Sequence, residues 1–201
     1  MHLFKVAFTA ALAILAAPSF AAVTPTQVVS NIKILTSKSK ALQGPAQSIS
    51  LINGPLIVIG LGPFPPIIAG FTEIITLVTA DIAAMSGTAP ITGAVDAKNI
   101  ADAFREFVQV HQKMLNILIG KAGLFNTVPI IGEPVAGVLR SLEKIVDTIA
   151  FGLIDLVESQ AVQMTMDKES LGGTITLAID SYDGLNLKSK QRRHSKDIRI
   201  V

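Results

Sequence analysis

The side chains best suited to acid–base work in the body of this chain are one histidine, His111, and the carboxylates Asp147, Asp155 and Glu158. A Ser-His-Asp triad would have to be built around His111, and no Gly-x-Ser-x-Gly turn exists to present a serine to it. The carboxylates recur along the polar face of one helical pattern, which is the spacing of a solvated surface. Gly60-Leu-Gly62, after the apolar run Leu56 to Ile59, imitates a dinucleotide-binding loop with Asp81 near the expected offset. Pro65 takes the third glycine position, however, and no alternating strand-helix pattern follows. HExxH and calcium-loop patterns are absent, and with no cysteine in 201 residues there is no thiolate nucleophile, thiolate ligand or disulfide. The expectation is a protein that is not an enzyme and needs neither cofactor nor metal.

The elements that could position His111 follow from composition and periodicity. Half of the residues (50%) are hydrophobic and 16% are charged, with one Tyr and no Trp. A mean hydropathy of +0.55 excludes a disordered or nucleic-acid-coating polymer, because so much aliphatic surface must be buried. The first residues form a separate unit: Lys5 supplies a positive start, Val6 to Ala17 an apolar stretch, and Ser19-Phe20-Ala21 a cleavage site. Residues 1–21 are therefore expected to be a secretory signal, and the rest to be extracellular with no integral membrane segment. Residues 22–187 carry ten Lys/Arg and fourteen Asp/Glu, a net of −4, whereas 188–201 carry six Lys/Arg and Asp197, a net of +5. The body is expected to fold over 22–185, and a basic tail over 186–201 to be disordered.

Gly/Pro punctuation divides the body into helices. Thr24-Pro25 places an N-cap and a first-turn proline before Val28, Ile32, Leu35 and Leu42, predicting a helix over 25–43. The stretch from Ala41 to Thr72 has no charge, and a short buried helix is expected near 46–60. Ile68, Phe71, Ile75, Val78, Ile82 and Met85 then recur in steps of three and four, predicting a helix over 66–85 with that stripe inward. Ile100, Phe104, Phe107, His111, Met114 and Leu118 do the same over 94–120. Val135, Val138, Leu142, Ile145, Ile149, Leu153 and Leu156 line one face of a helix over 134–160, and a last helix is expected over 164–182, weakened at Gly172-Gly173. The fold class is thus all-α, a bundle of about five helices. The wide apolar faces suit either a dense core or a possible interhelical apolar cavity.

His111 falls on the apolar stripe between Phe107 and Met114, where an unpaired ring nitrogen would cost about 1–3 kcal/mol. A hydroxyl or carbonyl of a neighbouring helix, with Thr148 or Ser141 as candidates, would satisfy it. Alternatively His111, with Gln112 or Lys113 nearby, meets a ligand carboxylate, which would favour the protonated ring and strengthen binding at mildly acidic pH.

The stretch from Phe104 to Phe125, ending in LxxLIGKAGLF, with the Gly62 to Phe71 turn before it and Val146 to Leu156 after it, resembles the fungal hydrophobic surface-binding protein A family, also called cell-wall galactomannoproteins. The likeness spans roughly residues 25–185. It implies a secreted or cell-wall-associated helical bundle that adsorbs to hydrophobic surfaces and, in some members, holds a long-chain fatty acid between helices. Phe71, Ile75, Val78, Phe104, Phe107, His111, Met114, Leu118, Leu142, Ile149 and Leu153 are then the expected walls of a site for a fatty acid or other apolar ligand. The alternative is an interfacial protein that adsorbs to hydrophobic surfaces or the cell wall without bound lipid. The sequence departs from wall-bound members in lacking an N-x-Ser/Thr sequon, a Ser/Thr/Pro-rich stalk and an apolar C-terminal segment. No nucleic acid is expected as a partner, since the basic tail has no aromatic residue.

Overall fold

The computed structural model describes residues 22–125 and 131–197, with helical backbone alone from 184 onward. The expected signal segment lies outside the described residues. Six α-helices follow in order: α1 (Pro25–Ala41), α2 (Gln43–Ser48), α3 (Phe64–Met85), α4 (Ala94–Ala122), α5 (Gly132–Leu156) and α6 (Ala161–Asp197). No strand occurs among the described residues. The all-α bundle is as expected, with α2 a short addition to five long helices.

α1 starts where its capping signals place it. Thr24 Oγ1 accepts from the Gln27 backbone N–H at 3.3 Å, the Gln27 side chain accepts from the Thr24 N–H at 3.0 Å, and Pro25 fills the first turn. Lys38 and Lys40 occupy its last turn, where cations meet the negative end of the helix dipole. Val28, Ile32, Leu35 and Ser39 are its buried face.

The buried helix expected near 46–60 is not formed. α2 ends at Ser48 and a 3-10 turn follows over Gly54–Ile59, with Gly60 and Gly62 at φ of 74° and 84°. Glycine and proline at 54, 55, 60, 62 and 63 deny this stretch a regular helical backbone, and its aliphatic side chains point outward, Ile52 at 88% and Ile59 at 67% exposure. Gly54 is the exception, buried beneath the Phe125 ring so closely that a Cβ would overlap it. Gly54→Ala is accordingly expected to lose about 1–3 kcal/mol in urea unfolding through overpacking. An unchanged midpoint would mean that the ring moves aside freely.

The inward face of α3 is also turned from the expected one. Phe64, Ile67, Phe71, Ile74 and Val78 are buried, while Ile68, Ile75, Ile82 and Met85 are partly exposed. The helix starts at Phe64 rather than Pro66 and is held between α1 and α5, so the buried stripe includes residues one position earlier on the helix. By length and composition α3 could also cross a membrane, but those five side chains are sealed against protein. In α4 the expected stripe is buried throughout, joined by Ala97, Ala101, Val108 and Leu115. α5 ends at Leu156 rather than 160, because Val157 (φ −129°, ψ 62°) leaves the helical region before a 3-10 turn over Glu158–Gln160. α6 passes through Gly172-Gly173 and Tyr182 without a break, so helical backbone continues to Asp197 into the stretch expected to be a disordered tail.

The five long helices form a ring in which α1 packs on α4, α4 on α6, α6 on α5, α5 on α3, and α3 back on α1. α1, α4 and α6 run one way and α3 and α5 the other, as cross-links show: Asn31 to Asp81, Arg105 to Asp167, Asp147 to Lys168. Each helix therefore turns an apolar face to one shared centre. Tyr182 closes one end, its hydroxyl donating to Leu118 O at 3.1 Å and its ring lying 6.4 Å from that of Phe64.

Candidate functional site

At the centre of the ring sits His111. α4 delivers it inward between Phe107 and Met114, and it is fully buried. Its Nδ1 lies 2.7 Å from Ser39 Oγ on α1, also fully buried. The Phe107 and Phe71 rings flank the imidazole with centroids at 5.2 and 6.0 Å. Nε2 has no hydrogen-bond partner among the described residues. Burial disfavours the charged ring and takes its pKa down from 6.5 to about 4, so the free protein holds a neutral imidazole at neutral pH.

Either tautomer leaves Nε2 with something to offer. If Ser39 donates to Nδ1, Nε2 carries an unsatisfied N–H; if Nδ1 donates to Ser39, Nε2 is an unsatisfied lone pair. A buried orphan of this kind costs about 1–3 kcal/mol, and a ligand with a carboxyl or hydroxyl group would satisfy it.

A small gap bounded by Val28, Asn31, Ile32, Asp81, Met85, Ile149 and Leu153 measures about 10 Å³, scarcely room for one water. On the outer side of Met85 lies a groove of about 370 Å³ between the C-terminal ends of α3 and α5, lined by Ile82, Met85, Ser86, Thr88, Pro90, Thr148, Gly152, Asp155 and Leu156. Met85 thus divides the surface groove from the interior, and its Cε packs where Gly152 has no side chain. Methionine's flexibility makes it the most easily moved part of that wall. Asn31 donates to Asp81 at 2.7 Å beside the gap, and burial pushes the Asp81 carboxyl up despite that bond. A larger groove of about 450 Å³, between the first halves of α1 and α4, is lined by Lys33, Asp96, Asn99, Asp102 and Glu106 and suits solvent rather than an apolar chain.

No protein-family model matches the chain, and no curated protein matches it in sequence. Solved structures do match in shape. AfMp4p in complex with palmitic acid superposes with a TM-score of 0.69 at 13% identity, covering 79% of this chain and 99% of that one. Ligand-binding domain 2 of the Penicillium marneffei MP1 protein, complexed with multiple arachidonic acids, gives 0.51 at 13% identity, covering 79% and 94%. The fold is shared. At this identity the likeness carries no residue-by-residue correspondence.

Of the expected wall residues, Phe71, Val78, Phe104, Phe107, Met114, Leu118, Leu142, Ile149 and Leu153 are buried with His111, and Ile75 is partly exposed at the edge. They belong to one core on three helices of the ring, and the gap beside Met85, at about 10 Å³, is far smaller than an acyl chain. The histidine's partner is a hydroxyl of a neighbouring helix, as one reading expected, but neither of the two suggested. Thr148 and Ser141 are exposed and donate to Lys144 O and Gly137 O of their own helix. Gln112 bonds Ser170 and Thr174 on α6 and Lys113 is exposed, so neither stands with His111. The residue that sequence reasoning missed is Ser39. Its signal was present, because position 39 completes the α1 stripe of 28, 32, 35 and 42.

Proposed function

We propose that this chain is a secreted, non-enzymatic lipid-binding protein of the hydrophobic surface-binding protein A kind, which takes a long-chain fatty acid into the helix ring with its carboxyl group at His111 Nε2. The observation that carries the reading is that buried, unpartnered nitrogen amid Phe71 and Phe107. The shared fold supports it, since proteins of this shape have been solved in complex with palmitic and arachidonic acids. The acyl chain enters from the groove between α3 and α5 by displacing Met85, and core side chains move apart to receive it, so the cavity forms as the ligand binds. The signal-like start supports secretion and a place outside the cell or at the cell wall; N-terminal sequencing of secreted protein should begin near Ala22.

A bare carboxylate in this apolar centre would be costly, so the carboxyl and imidazole share a proton taken up on binding. Palmitate affinity should then strengthen as pH falls from about 8 to about 5, approaching tenfold per unit for one proton gained. His111→Gln should weaken binding and flatten that slope. Equal affinity with an equal pH profile in the variant would remove His111 from the head-group role.

A further inference from the structure

Residues 50–62 form an exposed aliphatic loop at the end of the ring where α1 and α4 finish and α3 begins. Leu51, Ile52, Val58, Ile59 and Leu61 are more than half exposed, within a stretch of the chain, 41–72, that carries no charge. The loop is built to hold them there. Asn53 Oδ1 accepts from the Ser50 N–H at 2.8 Å, Asn53 Nδ2 donates to Ser48 O at 2.8 Å, and Gly54 is clamped under Phe125. The polar side chains thus serve the backbone while the aliphatic ones face solvent, the reverse of an ordinary surface loop.

The same end receives the basic run. Tyr182 fixes α6 there through Leu118 O and the Phe64 ring, and the helical backbone continues to Asp197. Lys188 follows about 9 Å further along the helix, and Lys190, Arg192, Arg193 and Lys196 come after it. Toward the opposite end lie Asp96 and Asp102 on α4, the latter paired with Lys98, and Asp155 and Glu158 at the close of α5. The uncharged aliphatic loop and the basic run of the chain thus share one end of the ring.

We propose that this end docks on an anionic lipid bilayer, the loop entering the interfacial layer and the α6 cations meeting the head groups. Charge chooses this occupant: an aliphatic insertion beside a basic helix matches an anionic membrane surface, on which each component adds to binding. The carboxylate-rich end is then held away from the surface. The proposal does not depend on the interior site.

Sedimentation of the mature chain with vesicles tests it. Vesicles of phosphatidylcholine containing phosphatidylserine should carry the protein down at least about tenfold better than phosphatidylcholine alone, and strong salt should erase most of that difference. Ile52→Asp combined with Ile59→Asp should abolish sedimentation, and Gln in place of Lys188, Lys190, Arg192 and Arg193 should reduce it to the phosphatidylcholine level. Thermal midpoint and palmitate binding in solution should be unchanged in both variants. The proposal falls if the wild type ignores phosphatidylserine, or if either variant sediments like the wild type. It falls too if the protein is a dimer that ignores vesicles and the Ile52/Ile59 variant is a monomer, since the loop would then join two copies. Loss of palmitate binding with vesicle binding retained would overturn the interior site and leave this surface standing.

Discussion

Replacing Ser39 with Ala and His111 with Leu together is expected to leave the folded chain at least as stable as the wild type at pH 7, and to remove most of its loss of stability in acid. The double change removes the orphaned Nε2, worth about 1–3 kcal/mol, along with one hydrogen bond worth about 0.5–1.5 kcal/mol, and adds apolar contact. Either single change strands a buried polar atom of the other partner and should destabilise, so the two should couple strongly in a double-mutant cycle. The pH effect has a definite sign. The histidine titrates near 6.5 when unfolded and at about 4 when folded, so the unfolded chain binds more protons between those values. Stability is full above about pH 6.5 and falls as pH drops toward 4, by about 3 kcal/mol. Asp81 opposes this at the acid end, because its raised carboxyl favours protonation in the folded state. Urea unfolding at pH 7 and near pH 4.5 checks both halves. A double variant markedly less stable than the wild type, or equally acid-sensitive, would show that His111 is already satisfied. The variant should also hold palmitate less well, because function retains here what stability alone would discard.

The second large effect concerns Phe107. It is buried against His111 and Phe104, and Phe107→Ala should cost about 3–5 kcal/mol of unfolding free energy in the absence of ligand. Palmitate should return part of that stability, since a ligand that binds only the folded chain raises its midpoint with concentration. Phe107→Trp should instead overfill the centre, also losing stability, by about 1–3 kcal/mol, and lowering uptake. Unchanged palmitate affinity in both variants would place the acyl chain elsewhere.

Helix count and most inward faces were legible because three- and four-residue steps survive in α1, α4 and α5. Two features were not. The run Leu51 to Leu61 reads as core by hydropathy, and only its glycines and prolines, which forbid a regular helix, account for its lying outside. In α3 nearly every position from Ile67 to Val78 is apolar or a threonine able to donate to its own helix, as Thr72 and Thr76 do, so periodicity alone admitted two neighbouring stripes. Ser39 shows a different obstacle. Its position was inward, but a serine on an apolar stripe declares its purpose only when the partner 72 residues away is brought to it.

The ring order also shapes how the chain must assemble. Of the five long helices, α1 packs on α3 and α5 on α6 as consecutive neighbours, whereas the contacts of α1 with α4, α3 with α5 and α4 with α6 each skip an intervening long helix. The Ser39–His111 bond and the Tyr182–Leu118 bond close loops of 72 and 64 residues. Loop closure on that scale precedes any reward from the contact, so this protein belongs with the slower folders among helical domains. During synthesis the first helix meets α3 early, but the larger part of its apolar face stays uncovered until α4 has followed.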